Sequence, residues 1–141
     1  MSATLEPLSH EECLERLAAE TVGRMAVLHE GYPVVVPVSY RLVERDGVHV
    51  IAVRTRPGNL LDHPGAAVGF EIDAVGNDRR SGWSVLVRGV LRVVEPDEVP
   101  DPGPACAADR DAWRVVVPWM ITGRRLPSDA SPWPFDPEGY L

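Results

Sequence analysis

From Val34 to Thr55 the chain reads as two apolar runs of strand length around a single Asp-Gly dipeptide. Val34, Val36, Val38, Tyr40 and Leu42 fall on one face of the first run, and Ser39 and Arg41 fall on the other. A repeat of two is the period of a β-strand. Asp-Gly is the strongest short signal for a tight hairpin, because its residues accept the positive φ such a turn needs. The sequence therefore predicts strands over Val34–Val43 and Val48–Thr55, joined at Arg45-Asp46-Gly47. A chain organised around such a hairpin builds a sheet, not a bundle of helices.

The same reading extends in both directions. Val22–Leu28 is a strand candidate, and Glu30-Gly31-Tyr32-Pro33 supplies the turn into Val34, which completes a three-stranded antiparallel meander. Pro57 and Gly58 break the pattern, Asn59–His63 has room for a short helix, and Pro64-Gly65 closes it. Ala66–Asp73 is a fourth strand, with Val68, Phe70 and Ile72 facing inward. After the polar loop Ala74–Ser81 comes a long strand, Gly82–Glu95, with Trp83, Val85, Val87, Leu91 and Val93 on one face. Gly89 interrupts it, which marks a bulge or a close backbone approach. Trp113–Ile121 is the last strand. Ahead of all of them, Ser9–Glu20 reads as a helix with a capping box of Ser9 and Glu12 and an apolar stripe of Cys13, Leu14, Leu17 and Ala18. Six strands, an N-terminal helix and a short inserted helix suit a small closed barrel, because closure removes the exposed edges of an open sheet.

The 141 residues, 45% of them hydrophobic, suit one domain over 1–126 with a Pro-rich tail over 127–141. The net charge of −7 argues against nucleic acid as a partner, since the closest basic groupings are only Arg79-Arg80 and Arg124-Arg125. Met1–Pro7 has neither the basic start nor the apolar core of a signal peptide, and no apolar run has the length of a membrane span. A cytoplasmic protein without a disulfide is expected, and Cys13 and Cys106 lack the spacing of a zinc site.

Side-chain chemistry is sparse. His10, His29, His49 and His63 stand apart from any Gly-flanked Ser or Cys. The carboxylate pairs Glu11-Glu12 and Asp97-Glu98 sit at helix starts, where acids favour the dipole. No catalytic residue of the chain itself is assigned, and no metal ligands. Two stretches remain. In Arg54-Thr55-Arg56-Pro57-Gly58-Asn59 a strand ends on a guanidinium and a hydroxyl ahead of a turn and a helix start, which suits either a phosphate or a plain strand-to-helix turn. In Gly82-Trp83-Ser84-Val85-Leu86-Val87-Arg88-Gly89 a tryptophan opens the long strand, where it can be core or can border a flat ligand.

With these stretches in view, the chain resembles the pyridoxamine 5′-phosphate oxidase-like, flavin-binding split-barrel family, in particular its small actinobacterial branch. The resemblance covers Leu8 to Leu126. It rests on Val22-Gly23-Arg24-Met25-Ala26, Pro33 to Tyr40, Arg54-Thr55 with Gly58, Phe70-Glu71-Ile72-Asp73, Gly82-Trp83-Ser84-Val85 with Val87 and Gly89, and Ile121-Thr122-Gly123-Arg124-Arg125. It implies a homodimer of six-stranded antiparallel split barrels with flavin mononucleotide (FMN) at the interface. Val36, Pro37, Val38 and Ser39 match the strand beside the flavin ring. Arg54, Thr55, Gly58, Asn59 and Leu60 match the phosphate stretch, and Trp83 and Ser84 match positions near the ring. Arg124 belongs to the C-terminal motif, and the resemblance gives it no role.

The family commonly carries Gly-Ser-Lys in the phosphate turn, whereas this chain reads Gly58-Asn59-Leu60. The first function implied is an FMN-dependent oxidoreductase acting on a small molecule not identified by the sequence. The alternatives are a deazaflavin-dependent reductase and a non-catalytic ligand-binding barrel with a degenerate flavin site. Oxidation of pyridoxamine phosphate itself fits less well, because the tail carries Asp129, Asp136 and Glu138 and no Arg or Lys.

Overall fold

The computed structural model describes residues 5–55, 60–61, 63–95 and 112–127. The helix α1 (His10–Ala19) starts where its cap predicts. The Glu12 N–H donates to Ser9 Oγ at 3.1 Å and the Ser9 N–H donates to Glu12 Oε1 at 3.2 Å, so two end donors are satisfied reciprocally. The Ser9 backbone donor also holds the Glu12 carboxyl below the usual range. Cys13 and Leu17 are buried and Leu14 packs beside them, whereas Ala18, expected on the same stripe, is exposed. At the other end of the helix, Tyr40 Oη donates to the Leu17 carbonyl at 2.6 Å. That bond satisfies one of the carbonyls a helix end leaves open and ties α1 to the barrel.

Among the described residues seven strands follow the order β1 (Glu6–Pro7), β2 (Val22–His29), β3 (Tyr32–Arg45), β4 (Val48–Thr55), β5 (Ala67–Val75), β6 (Gly82–Val94) and β7 (Ala112–Leu126). Six are those expected; the seventh is the two-residue β1, which adds to β7 at Glu6↔Arg125 and was too short to show a period. All pairings are antiparallel. The sheet runs β1-β7-β4-β3-β2-β5-β6 and closes through a β7–β6 pairing. Asp46 and Gly47 have φ of 51° and 81°, the paired positive values of the predicted hairpin turn. Of the inserted helix expected over Asn59–His63, Asn59 and Asp62 lie outside the described residues, and Leu60 and Leu61 form a turn.

The interior holds Met25, Val38, Tyr40, Ile51, Val53, Phe70, Ile72, Val85, Val87, Leu91 and Val116. A second buried cluster, which the sequence did not announce, gathers Val43, Val50, Ala52, Val94, Trp113 and Val115 on the opposite face of the sheet. Near the end of β6, Val93 stays on the face of Val85, Val87 and Leu91 but is exposed, while Val94 packs with Trp113 in the second cluster. Gly89 fulfils both expectations. Arg88 pairs with Met120 but Gly89 pairs with Pro118, so Trp119 is the extra residue of a bulge. A Cβ on Gly89 would collide with the Val117 carbonyl. Pro118 has no N–H to give the ladder, and a bulge is where a strand accommodates that loss.

Candidate functional site

Strand alternation divides the chemistry-bearing residues between the two faces. On the outer face, register sets Pro37 beside Arg24, Arg24 beside Glu71, Glu71 beside Leu86 and Leu86 beside Thr122. One step along, Asp73 lies beside Ser84 and Ser84 beside Arg124. These positions form a groove of about 420 Å³, lined on β5 by Glu71, on β6 by Ser84, Leu86 and Arg88, and on β7 by Thr122, Gly123 and Arg124. A shallower, more apolar depression of about 380 Å³ adjoins it and includes Ala26, Leu28, Pro33, Gly69 and Trp119.

The charges of the groove are arranged, not scattered. Arg24 Nη2 lies 2.7 Å from Glu71 Oε1 and 2.9 Å from Asp73 Oδ1, and its Nε donates to Glu71 Oε1 at 3.1 Å. One guanidinium thus ties two carboxylates across β2 and β5. Burial, with Asp73 nearby, pushes the Glu71 carboxyl above its ordinary range despite Arg24. The hydrogen bond that Arg24 donates to Glu71 raises the Arg24 guanidinium in turn. Arg88 and Arg124 are exposed, and neither meets a carboxylate among the described residues. Arg88 stands 6.0 Å from the Trp119 ring.

The residues singled out from sequence are not brought to one point. Val38 is buried inside the barrel and Val36 packs against that core, while Pro37 and Ser39 face outward. Arg54 faces the second cluster, 5.8 Å from the Trp113 ring. Thr55 turns the other way and is 2% exposed. Leu60 is half-buried in its turn; Gly58 and Asn59 lie outside the described residues. Trp83 packs against the interior with Arg16 4.7 Å above its ring, whereas Ser84 lines the groove. Adjacent strand residues point to opposite faces, so Trp83 and Ser84 cannot both border one ligand through their side chains. The register step beyond Tyr40↔Val53 sets Ser39 opposite Arg54. From Ser39 to Ser84 the outer face crosses three strand spacings, about 14 Å. Sequence reasoning named Arg88, Thr122 and Trp119 as no more than parts of longer motifs or strands; Pro118 interrupting an apolar strand was the signal for an outward Trp119.

Among the described residues no three His, Cys, Asp or Glu side chains gather as a metal site, and no helix is long and apolar enough to cross a membrane. A search of curated proteins finds no match. Solved structures do match. An FAD-binding protein from Mycobacterium smegmatis is 28% identical, with 88% of this chain and 100% of that one covered, at a TM-score of 0.66. A Corynebacterium glutamicum protein named for pyridoxamine 5′-phosphate oxidase is 26% identical over 89% of this chain and 96% of that one, also at 0.66. A Corynebacterium diphtheriae protein of unknown function shares the fold at a TM-score of 0.72, with 22% identity and coverage of 87% and 98%. The pyridoxamine 5′-phosphate oxidase family model matches residues 9–124. A match over most of the chain shows that this chain belongs to the pyridoxamine 5′-phosphate oxidase family, and the closed antiparallel barrel agrees with the expected fold.

Proposed function

We propose that the chain binds a flavin and works as a flavin-dependent oxidoreductase, with each site completed by a second copy. The observation that carries the reading is Thr55. Its Oγ1 is buried without a hydrogen-bond partner, at the end of the strand that matches the family's phosphate stretch. A buried hydroxyl left unpaired costs about 1–3 kcal/mol, and a phosphate oxygen is an acceptor that would satisfy it. Leu60, in place of the family's lysine, brings no charge to that stretch, and Arg54 is the cation within it among the described residues.

The second copy follows from the spread of the site. Ser39 and Arg54 lie outside the groove, which among the described residues is lined from β5, β6 and β7. Two barrels meeting through their outer faces would set Ser39 and Arg54 of one against Ser84 of the other. Val22, Leu28, Val35 and Trp119 are 52%, 71%, 62% and 64% exposed on that side, an apolar surface of the kind that marks an interface. A bound flavin would supply the electron transfer. The chain's own part is to seat the ring against the β3 backbone, keep water from it and hold the phosphate. No side chain need act as a nucleophile. A cytoplasmic location goes with this reading, Cys13 being a free buried thiol.

Leu60 also favours a second reading, a barrel that binds a ligand without catalysis. The purified protein is expected to show flavin absorbance bands, and the apo form to bind FMN, FAD or a deazaflavin coenzyme saturably. Titration with the three identifies the cofactor. No binding of any of them contradicts the proposal. A Leu60→Lys variant that gains tight binding where the parent has none establishes the second reading.

A further inference from the structure

We propose that the β5–β6–β7 groove is the substrate-side subsite and that it takes a small anionic molecule, carrying a carboxylate or a phosphate, held by Arg88 and Arg124. The assignment rests on the flavin reading only in calling the ligand a substrate; the anion site stands on the groove itself. Its polar lining consists of two guanidinium groups, two hydroxyls and one carboxylate. The carboxylate, Glu71, is already engaged by Arg24 at 2.7 Å, as is Asp73 at its edge at 2.9 Å. Arg24 therefore cancels the groups that would repel an anion, and Arg88 and Arg124 remain with no carboxylate to oppose them among the described residues. Three cations against two anions make this a cationic hollow on a chain whose net charge is −7. A chain of that sign repels anions at long range, so an anion bound here is selected by local groups.

The layout sets the size of the ligand. Arg124 stands opposite Ser84, and Arg88 follows Ser84 by four residues on the same strand face. Their backbone positions are thus about 13 Å apart along the strand. Leu86 and Thr122 form the floor between them. Each guanidinium presents a fork of donors that matches a carboxylate or a phosphate. Ser84 and Thr122 can each add a hydroxyl donor. The groove's 420 Å³ suits a small molecule.

The test is calorimetric titration of the flavin-loaded and the apo protein with two probes, succinate and inorganic pyrophosphate. Wild-type protein is expected to bind at least one probe saturably in both forms, and the better probe identifies the anion class. Arg88→Gln and Arg124→Gln should each weaken probe binding about tenfold or more. FMN affinity should stay within about twofold, since its phosphate is held at a separate place. Both arginines are exposed, so the variants are expected to fold; Arg124→Lys should retain more affinity than Arg124→Gln. The proposal is overturned if neither probe binds, or if the Gln variants bind as the wild type does. It is also overturned if the Gln variants lose FMN as steeply as they lose the probes, for then the groove holds the cofactor's own phosphate. Probe binding without any flavin binding contradicts the flavin reading and leaves the anion site standing.

Discussion

On β6, Val85, Val87 and Leu91 point into the barrel and are fully buried, while Ser84, Leu86 and Arg88 on the same strand point outward and line a groove. The inner face is closed around Phe70, whose ring meets Tyr40 edge-on at 4.8 Å, and Tyr40 in turn is bonded to the helix. The outer face keeps large apolar side chains in solvent, with Arg88 and Arg124 meeting no carboxylate among the described residues and Pro118 breaking the ladder. Neighbouring residues therefore answer to different demands. The inner ones are fixed by packing, and the outer ones make sense only with something bound against them.

If that division holds, substitutions on the two faces should differ in kind. Phe70→Ala empties the centre of the core and should cost about 3–5 kcal/mol of unfolding free energy, measured by urea denaturation. A loss below about 1 kcal/mol would mean that the interior is not packed as described. Tyr40→Phe leaves the Leu17 carbonyl without its buried donor, and about 1–3 kcal/mol should go with it. Far-UV dichroism of that variant should show the helix loosening first. On the outer face, Leu28→Glu should change the unfolding free energy of a protomer by no more than about 0.5 kcal/mol. It should instead separate the copies, seen as a fall in mass by sedimentation. A Leu28→Glu protein that stays associated would place the interface elsewhere.

The smallest effect concerns pH. The Glu71 carboxyl is raised chiefly by burial, so the folded chain holds that proton more tightly than the unfolded chain does. Its contribution to stability is therefore present at low pH and is lost as pH rises through the raised value. Replacing it by Gln should remove this slope just above the ordinary glutamate range, as read from denaturation midpoints. An unchanged slope would show that Glu71 is not the group responsible.

The inner face was legible because its signals are local. Ser9 with Glu12, Asp46-Gly47, and the alternation of Val68, Phe70 and Ile72 each lie within a few residues, and all appear as read. The outer site was not, because it is assembled by register. Glu71, Ser84 and Arg124 are far apart in sequence and meet only through the β5–β6–β7 pairings. Trp83 and Ser84 are neighbours in sequence, yet the alternation of the strand sends their side chains to opposite faces, and Arg54 and Thr55 divide in the same way. Nothing nearby in the chain marks the second cluster that takes in Val94.

The central claim, that a flavin site is shared between two outer faces, is tested most directly by mixing two defective chains. Ser39→Tyr blocks the β3 side of every site, and Ser84→Tyr blocks the groove side. Each variant alone should remain associated and bind no flavin. Unfolding and refolding the two together should restore flavin binding to about a quarter of the wild-type occupancy, because half of the random pairs are mixed and each holds one intact site. No recovery, with both variants still pairing, would contradict the shared site.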